Sequence, residues 1–131
     1  NFSYIDMRSM TKYVAGTQRV SKNYKKRIPA IPYMYGNGEA GITLRDLFIK
    51  GSVLDIQYMV GYIHKFSYEW NTYNNPELSH DLFVSYNFGK KQEFTVSAEC
   101  TNIANARLYD NFKMQKPGRA FAIKVGYTFN K

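Results

Sequence analysis

No stretch of this 131-residue chain approaches the run of about 18 apolar residues that a membrane helix requires. Membrane helices are thereby excluded. Barrel strands are not, because they hide their hydrophobicity in alternation and leave mean hydropathy low, here -0.47. Cysteine is almost missing. Cys100 stands alone, which rules out an internal disulfide and a cysteine metal cluster. It alternates with Phe94, Val96 and Ala98 and reads as a small apolar strand residue. Histidine is scarce, and His64 and His80 have no partners at ligand spacing, so neither a zinc site nor any cofactor is expected. Acidic residues are missing between Asp6 and Glu39, while Arg8, Lys12, Arg19, Lys22, Lys25, Lys26 and Arg27 all lie there. The chain starts at Asn1 without an initiator Met or a signal peptide, which suggests a mature product or a piece of a longer chain.

Aromatic residues and positive charge are plentiful. Twelve Tyr and nine Phe against a single Trp favour strands and membrane interfaces. A formal charge of +8 raises nucleic acid as a partner.

Residues 119–129, R-A-F-A-I-K-V-G-Y-T-F, set the pattern for the rest. Phe121, Ile123, Val125, Tyr127 and Phe129 fall on one face, and Ala120, Ala122, Lys124, Gly126 and Thr128 on the other. A period of two means a strand. Its length suits a tilted crossing of a bilayer, which takes about 9–11 residues, and its aromatic residues stand at both ends of the greasy face, as in a barrel girdle.

The same alternation recurs along the chain. A mixed strand is expected over 2–8, an irregular loop over 11–27, and an extended segment at I-P-A-I-P, where each proline disfavours helix before it. A strand follows over 33–45, with glycines that imply close approach or bending. After a short turn at 46–51, alternation runs unbroken from Leu54 to Trp70, predicting one very long strand. A turn-rich loop at 71–79, a strand at 81–88, a tight turn at 89–92, a strand at 94–101 and a loop at 102–118 complete the order. The expected fold is all-β, an antiparallel up-and-down meander of about six strands in a single domain spanning 1–131. Short connections take turns with longer ones, as in outer-membrane barrels.

No grouping predicts catalysis. Ser79-His80-Asp81 are adjacent, so strand alternation sends neighbours to opposite faces, and a triad is a spatial constellation. Gly36-x-Gly38-x-x-Gly41 matches a dinucleotide-loop spacing but does not join a strand to a helix. An enzyme is not expected.

Three segments together carry a family resemblance. T-N-I-A-N-A-R-L-Y-D-N (101–111), K-P-G-R-A-F (116–121) and V-G-Y-T-F (125–129) resemble the C-terminal end of TonB-dependent outer-membrane receptors. In that family an N-[IL]-x-[ND]-x-x-[LY]-[YF] segment precedes the last loop, a P-G-R-x-[FY] lead-in and a closing Y-x-F. R-I-P-A-I-P-Y (27–33) resembles the R-[IV]-P-x-[IV]-P start of a strand found about a hundred residues before the family's end. The resemblance covers nearly the whole chain. One departure is that Asn130 and Lys131 follow Phe129, where family members usually stop at the aromatic.

The resemblance implies the last six strands of a barrel of about 22 strands with a plugged lumen. It implies active uptake of a scarce nutrient (an iron chelate, cobalamin or a glycan) across the bacterial outer membrane, with the plug and TonB box lying upstream. The implied partners are outer-membrane lipid, the TonB complex acting through the plug, the small-molecule ligand and the barrel assembly machinery. Tyr127 and Phe129 would form the terminal assembly signal.

From the loops themselves, Arg107, Tyr109, Lys113 and Lys116 are the candidates for contacting an anionic ligand, since Lys and Arg suit phosphates and carboxylates. Two other readings compete. A small basic β-protein could bind nucleic acid through lysines interleaved with tyrosines, and a soluble barrel could bind a small ligand. Against both, Ala120, Ala122, Lys124, Gly126 and Thr128 make a poor core, and the Leu54 to Trp70 face makes a poor solvated surface. Nucleic acid is therefore not the expected partner.

Overall fold

In the computed structural model, which describes residues 1–70, 72–109 and 114–129, the alternating stretches become antiparallel strands, and no helix occurs among the described residues. They are β1 (Phe2–Tyr4), β2 (Met34–Arg45), β3 (Val53–Ile63), β4 (Ser67–Glu69), β5 (Thr72–Tyr73), β6 (Glu77–Phe88), β7 (Phe94–Thr101) and β8 (Ala120–Tyr127). Six of them form one sheet in the order β1-β2-β3-β6-β7-β8, while β4 and β5 make a separate hairpin. The sheet is an up-and-down meander and is not closed: β1 and β8 are its edges.

The register aligns the apolar faces of all six strands, β1 joining through Phe2 opposite Gly36 and the other five through two continuous rows. Ile42 stands opposite Ile56, Ile56 opposite Val84, Val84 opposite Ala98, and Ala98 opposite Ile123. The next row runs Leu44, Leu54, Tyr86, Val96, Val125. Residues directly opposite across a ladder share a face, so Phe121, Ile123, Val125 and Tyr127 lie on the same side as Leu82, Val84 and Tyr86. The other face carries Thr43 bonded to Asp55 at 2.6 Å, Thr95 bonded to Asn87 at 2.7 Å, and Lys124 near Glu99 at 3.6 Å.

Among the described residues no second layer covers the apolar face. Among the described residues only Phe66 and Leu108 are buried hydrophobics, and both lie beyond the sheet at its loop end. Phe121, Ile123 and Val125 are 73%, 78% and 78% exposed. The accessible surface is 9848 Å² for a 15.3 kDa chain. A compact monomer of that mass would expose about 7,100 Å².

The connections sort by length. The turns 46–52 and 89–93 lie at one end, and the described parts of the longer connections, from β1 to β2, from β3 to β6 and from β7 to β8, lie at the other. At the short-turn end, Gly89 adopts φ 103°, which favours glycine, and the Glu93 carboxylate accepts from the Lys91 N–H at 2.7 Å. Gly36 in β2 answers a close approach, because a Cβ there would sit 2.7 Å from the Asn1 carbonyl oxygen.

Three expectations are corrected. The strand predicted from Leu54 to Trp70 leaves the sheet at Ile63, and Ser67–Glu69 turns to pair with Thr72–Tyr73. The alternation continues, but Phe66 is drawn inward to 3% exposure, pinned by its N–H to the Asn74 side chain at 2.6 Å and its carbonyl to the Asn74 N–H at 2.9 Å. The next strand starts at Glu77, earlier than alternation alone suggests. The first strand ends at Tyr4 rather than running to residue 8, because Asp6 turns to bind Arg8 and Arg27.

The stretch 11–27 is also less irregular than its composition suggests. Bridges Arg8 to Arg27 and Tyr13 to Val20 fold residues 5–33 into an antiparallel excursion, with Gly16 at its tip in a left-handed conformation.

Candidate ligand site at the long-loop end

Three connections meet at the long-loop end, and asparagines shape two of them. In T-N-I-A-N-A, Asn102 and Asn105 adopt φ 49° and 51°, a region asparagine tolerates better than most side chains. Asn102 is buried. Its amide donates to the Ala106 carbonyl at 2.8 Å, its side-chain oxygen accepts from the Ala106 N–H at 2.9 Å, and its own N–H donates to Asp81 at 2.7 Å. Asn105 accepts from the Arg119 N–H at 3.0 Å, tying the start of the loop to its end. These bonds hold Arg107, Leu108 and Tyr109 over the first residues of β6.

Glu77, the first residue of β6, lies beneath them and is 7% exposed. It stands opposite Ile63 on the polar face of the sheet. One carboxylate oxygen accepts from the Tyr109 N–H at 3.2 Å. The other, Oε1, is buried and has no hydrogen-bond partner among the described residues. The same holds for Nδ2 of Asn74, whose side-chain oxygen and backbone N–H both bond the Phe66 backbone. A buried polar group left unpaired costs about 1–3 kcal/mol, and more when charged. The two residues that carry these atoms line one open cleft of about 460 Å³, together with Tyr68, Arg107 and Tyr109. That volume lies within the range of about 300–1,000 Å³ typical of small-molecule sites. A second concavity of about 170 Å³ shares Glu77 and carries Lys116, Tyr35 and Ser79 on the polar face.

The sequence-predicted residues divide accordingly. Arg107 and Tyr109 line the cleft, and Lys116 lines its neighbour, its N–H donating to the Leu108 carbonyl at 2.8 Å. Lys113 lies outside the described residues. Tyr127 and Phe129 stand at the opposite end, where their rings meet at 4.7 Å. Sequence reasoning missed Glu77, Asn74 and Tyr68. They sit in or beside a stretch rich in turn residues, N-T-Y-N-N-P-E-L-S, and nothing in that stretch distinguishes an acid that becomes buried from one that stays in water.

Elsewhere, two of the clustered cations are already paired. Asp6 binds Arg8 at 3.0 Å and Arg27 at 3.1 Å, and Arg27 also covers the Tyr33 ring at 3.7 Å. The hydrogen bond from Arg27, and then that from Arg8, lowers the Asp6 pKa below its ordinary value. His80 stacks on Tyr58 and hydrogen-bonds its hydroxyl, so its ring contacts a neighbouring strand rather than Ser79 or Asp81. Among the described residues, no three side chains of His, Cys, Asp or Glu gather to hold a metal ion. Gly36, Gly38 and Gly41 all lie within β2, which is a strand and not a phosphate loop. Compared with the known protein families, with curated proteins and with solved structures, the chain matches none.

Proposed function

We propose that this chain is a wall segment of a bacterial outer-membrane β-barrel, part of a TonB-dependent type of transporter that takes up a scarce nutrient and performs no catalysis. The single observation behind the reading is the apolar face. It runs across the six strands in register with no second layer over it among the described residues, while the other face is polar. In water that arrangement exposes a continuous greasy surface far beyond the few hundred Å² that monomers tolerate. In a bilayer the same arrangement is the expected one, with lipid outside and an aqueous lumen inside.

Two further features agree. At the short-turn end, the rings of Phe48, Tyr86, Phe88, Phe94, Tyr127 and Phe129 follow one another at centroid distances of 4.7–6.5 Å, a belt suited to a membrane interface. Along β6, the apolar face from Leu78 to Phe88 measures roughly 33 Å, and a tilt of about 40° makes that roughly 25 Å of height, the thickness of a barrel's apolar band. The TonB-dependent assignment rests on the motif resemblance alone, as do the plug, the TonB complex and the assembly machinery as partners.

The test is refolding from urea with and without lauryldimethylamine oxide micelles or phosphocholine vesicles. A monodisperse particle that keeps the open sheet is expected only with the amphiphile. A monodisperse monomer with the same open sheet in plain buffer would overturn the reading.

A further inference from the structure

We propose that the cleft around Glu77 binds an uncharged, hydroxyl-rich ligand, an oligosaccharide. This deepens the transporter reading and rests on it only for the direction from which the ligand arrives. Three groups around the cleft make different demands. Glu77 Oε1 is a buried acceptor that needs a donor. Asn74 Nδ2 is a buried donor that needs an acceptor. Arg107 is an exposed cation that needs further acceptors and has no ion pair among the described residues.

A simple anion satisfies Asn74 and Arg107 but meets the Glu77 carboxylate, which lies within the same cleft. A simple cation satisfies Glu77 but meets Arg107 and the chain's charge of +8. Hydroxyl groups satisfy all three, because each both donates and accepts. A sugar ring carries several of them a few ångströms apart on a rigid frame. It also presents C–H faces that suit the tyrosine rings lining the cleft, Tyr68 and Tyr109.

The site is built rather than incidental. Asn74 is fixed by two hydrogen bonds to the Phe66 backbone, and Phe66 is the most buried apolar residue described. Glu77 is fixed by the Tyr109 N–H and by the sheet pairing of β6 with β3. Neither orphaned atom has a protein partner among the described residues, and the cleft lined by their side chains is the space from which a ligand would supply one. The adjoining concavity with Lys116 and Ser79 continues along the polar face, which is where a second sugar unit would extend.

The chain is refolded in lauryldimethylamine oxide, a detergent without a sugar headgroup, and strand circular dichroism is verified before titration. Isothermal titration is then run with maltohexaose, xylohexaose, cellohexaose and chitohexaose, and with citrate as the anionic probe. At least one neutral oligosaccharide is expected to bind and citrate not to. Glu77→Gln keeps the shape and the acceptor for Tyr109 but removes the charge, and should weaken the sugar about ten- to a hundred-fold. Arg107→Gln, at an exposed position that leaves the fold intact, should weaken it about three- to ten-fold. Lys90→Gln, in the turn at the far end, should change nothing.

Citrate binding without sugar binding, no binding of any neutral probe to a correctly folded sample, or sugar binding indifferent to both site variants would each overturn the proposal. Vesicle partitioning of the same sample separates the two readings. A chain that inserts but binds no sugar refutes only the ligand, and one that binds sugar but stays out of vesicles refutes only the membrane.

Discussion

Replacing Ile123 by arginine separates water from lipid as the medium around the apolar face. Ile123 lies near the middle of β8, opposite Ala98, and 78% of it is exposed. In a water-soluble sheet, such a position tolerates almost any side chain, and surface substitutions change stability by about 0.5 kcal/mol or less. In a bilayer the same position is near mid-depth, flanked along the strand by Phe121 and Tyr127 at its two ends. Arginine there costs about 2–4 kcal/mol, a change of roughly 30- to 900-fold in the folded fraction. Its neighbour Ala122 provides the control, since it faces the polar side opposite Glu99. Ala122→Arg adds the same charge one residue away and should cost under about 0.5 kcal/mol, with Glu99 offering a weak partner. The assay is urea-dependent folding into phosphocholine vesicles, monitored by the fluorescence of Trp70. Equal effects of the two substitutions, or no effect of Ile123→Arg, would refute the assignment of faces to media.

Other expectations follow from single contacts. The Asp6 pKa is lowered from 3.8 by Arg27 and then Arg8, so the contribution of this ion cluster is complete above that value and is lost as pH falls through the lower folded-state pKa. Amide protection factors at Ser9 and Ile28, both hydrogen-bonded across the excursion, should therefore fall in acid, and in Asp6→Asn they should be low at every pH. Asn102→Ala removes the side-chain bonds to Ala106 and leaves its half-buried backbone groups unpaired, costing about 1–3 kcal/mol and loosening Arg107 and Tyr109, which denaturant titration and ligand affinity would register separately. Without detergent, the outer edges of β2 over 38–45 and of β8 carry backbone groups with no strand partner among the described residues. Sedimentation in plain buffer should show association through those edges or the apolar face, or a smaller closed barrel with the aromatic residues inside.

Most of the sheet was legible because alternation is local. Each pair i, i+2 reports the face directly, and the register then only had to match like faces. The alternation of Leu82, Val84 and Tyr86 with Ser85 and Asn87 predicted both the strand and the side that lies against Phe94, Val96 and Phe121. The failures occurred where a residue's fate depends on distant chain. Alternation continues past Ile63 through Phe66 and Tyr68, yet the chain leaves the sheet there. No local pattern reveals that Phe66 finds a sink against the loop end and that Asn74 can close around it. Residues 11–27 looked structureless for a related reason: their bridges pair Arg8 with Arg27 and Tyr13 with Val20, and such pairing has no period.

The candidate site was only half visible, and the visible half points to a different ligand from the one proposed for the whole cleft. Arg107, Tyr109 and Lys116 are cations and an aromatic in a loop, and taken alone they predict an anion. What changes the ligand class is Glu77, and its importance is not a property of glutamate. It comes from burial to 7% exposure with only one of two oxygens paired, which requires Asn102 to set the last loop over the first residue of β6 and the Tyr109 N–H to take one lone pair and no more. An unsatisfied group is defined by the partner it lacks, and a lack is a statement about the whole neighbourhood. Sequence therefore locates the residues that can bind, while the fold decides what is left over for a ligand. In this chain what is left over is one buried acceptor and one buried donor beside an exposed cation. That combination selects hydroxyl groups over a free charge of either sign.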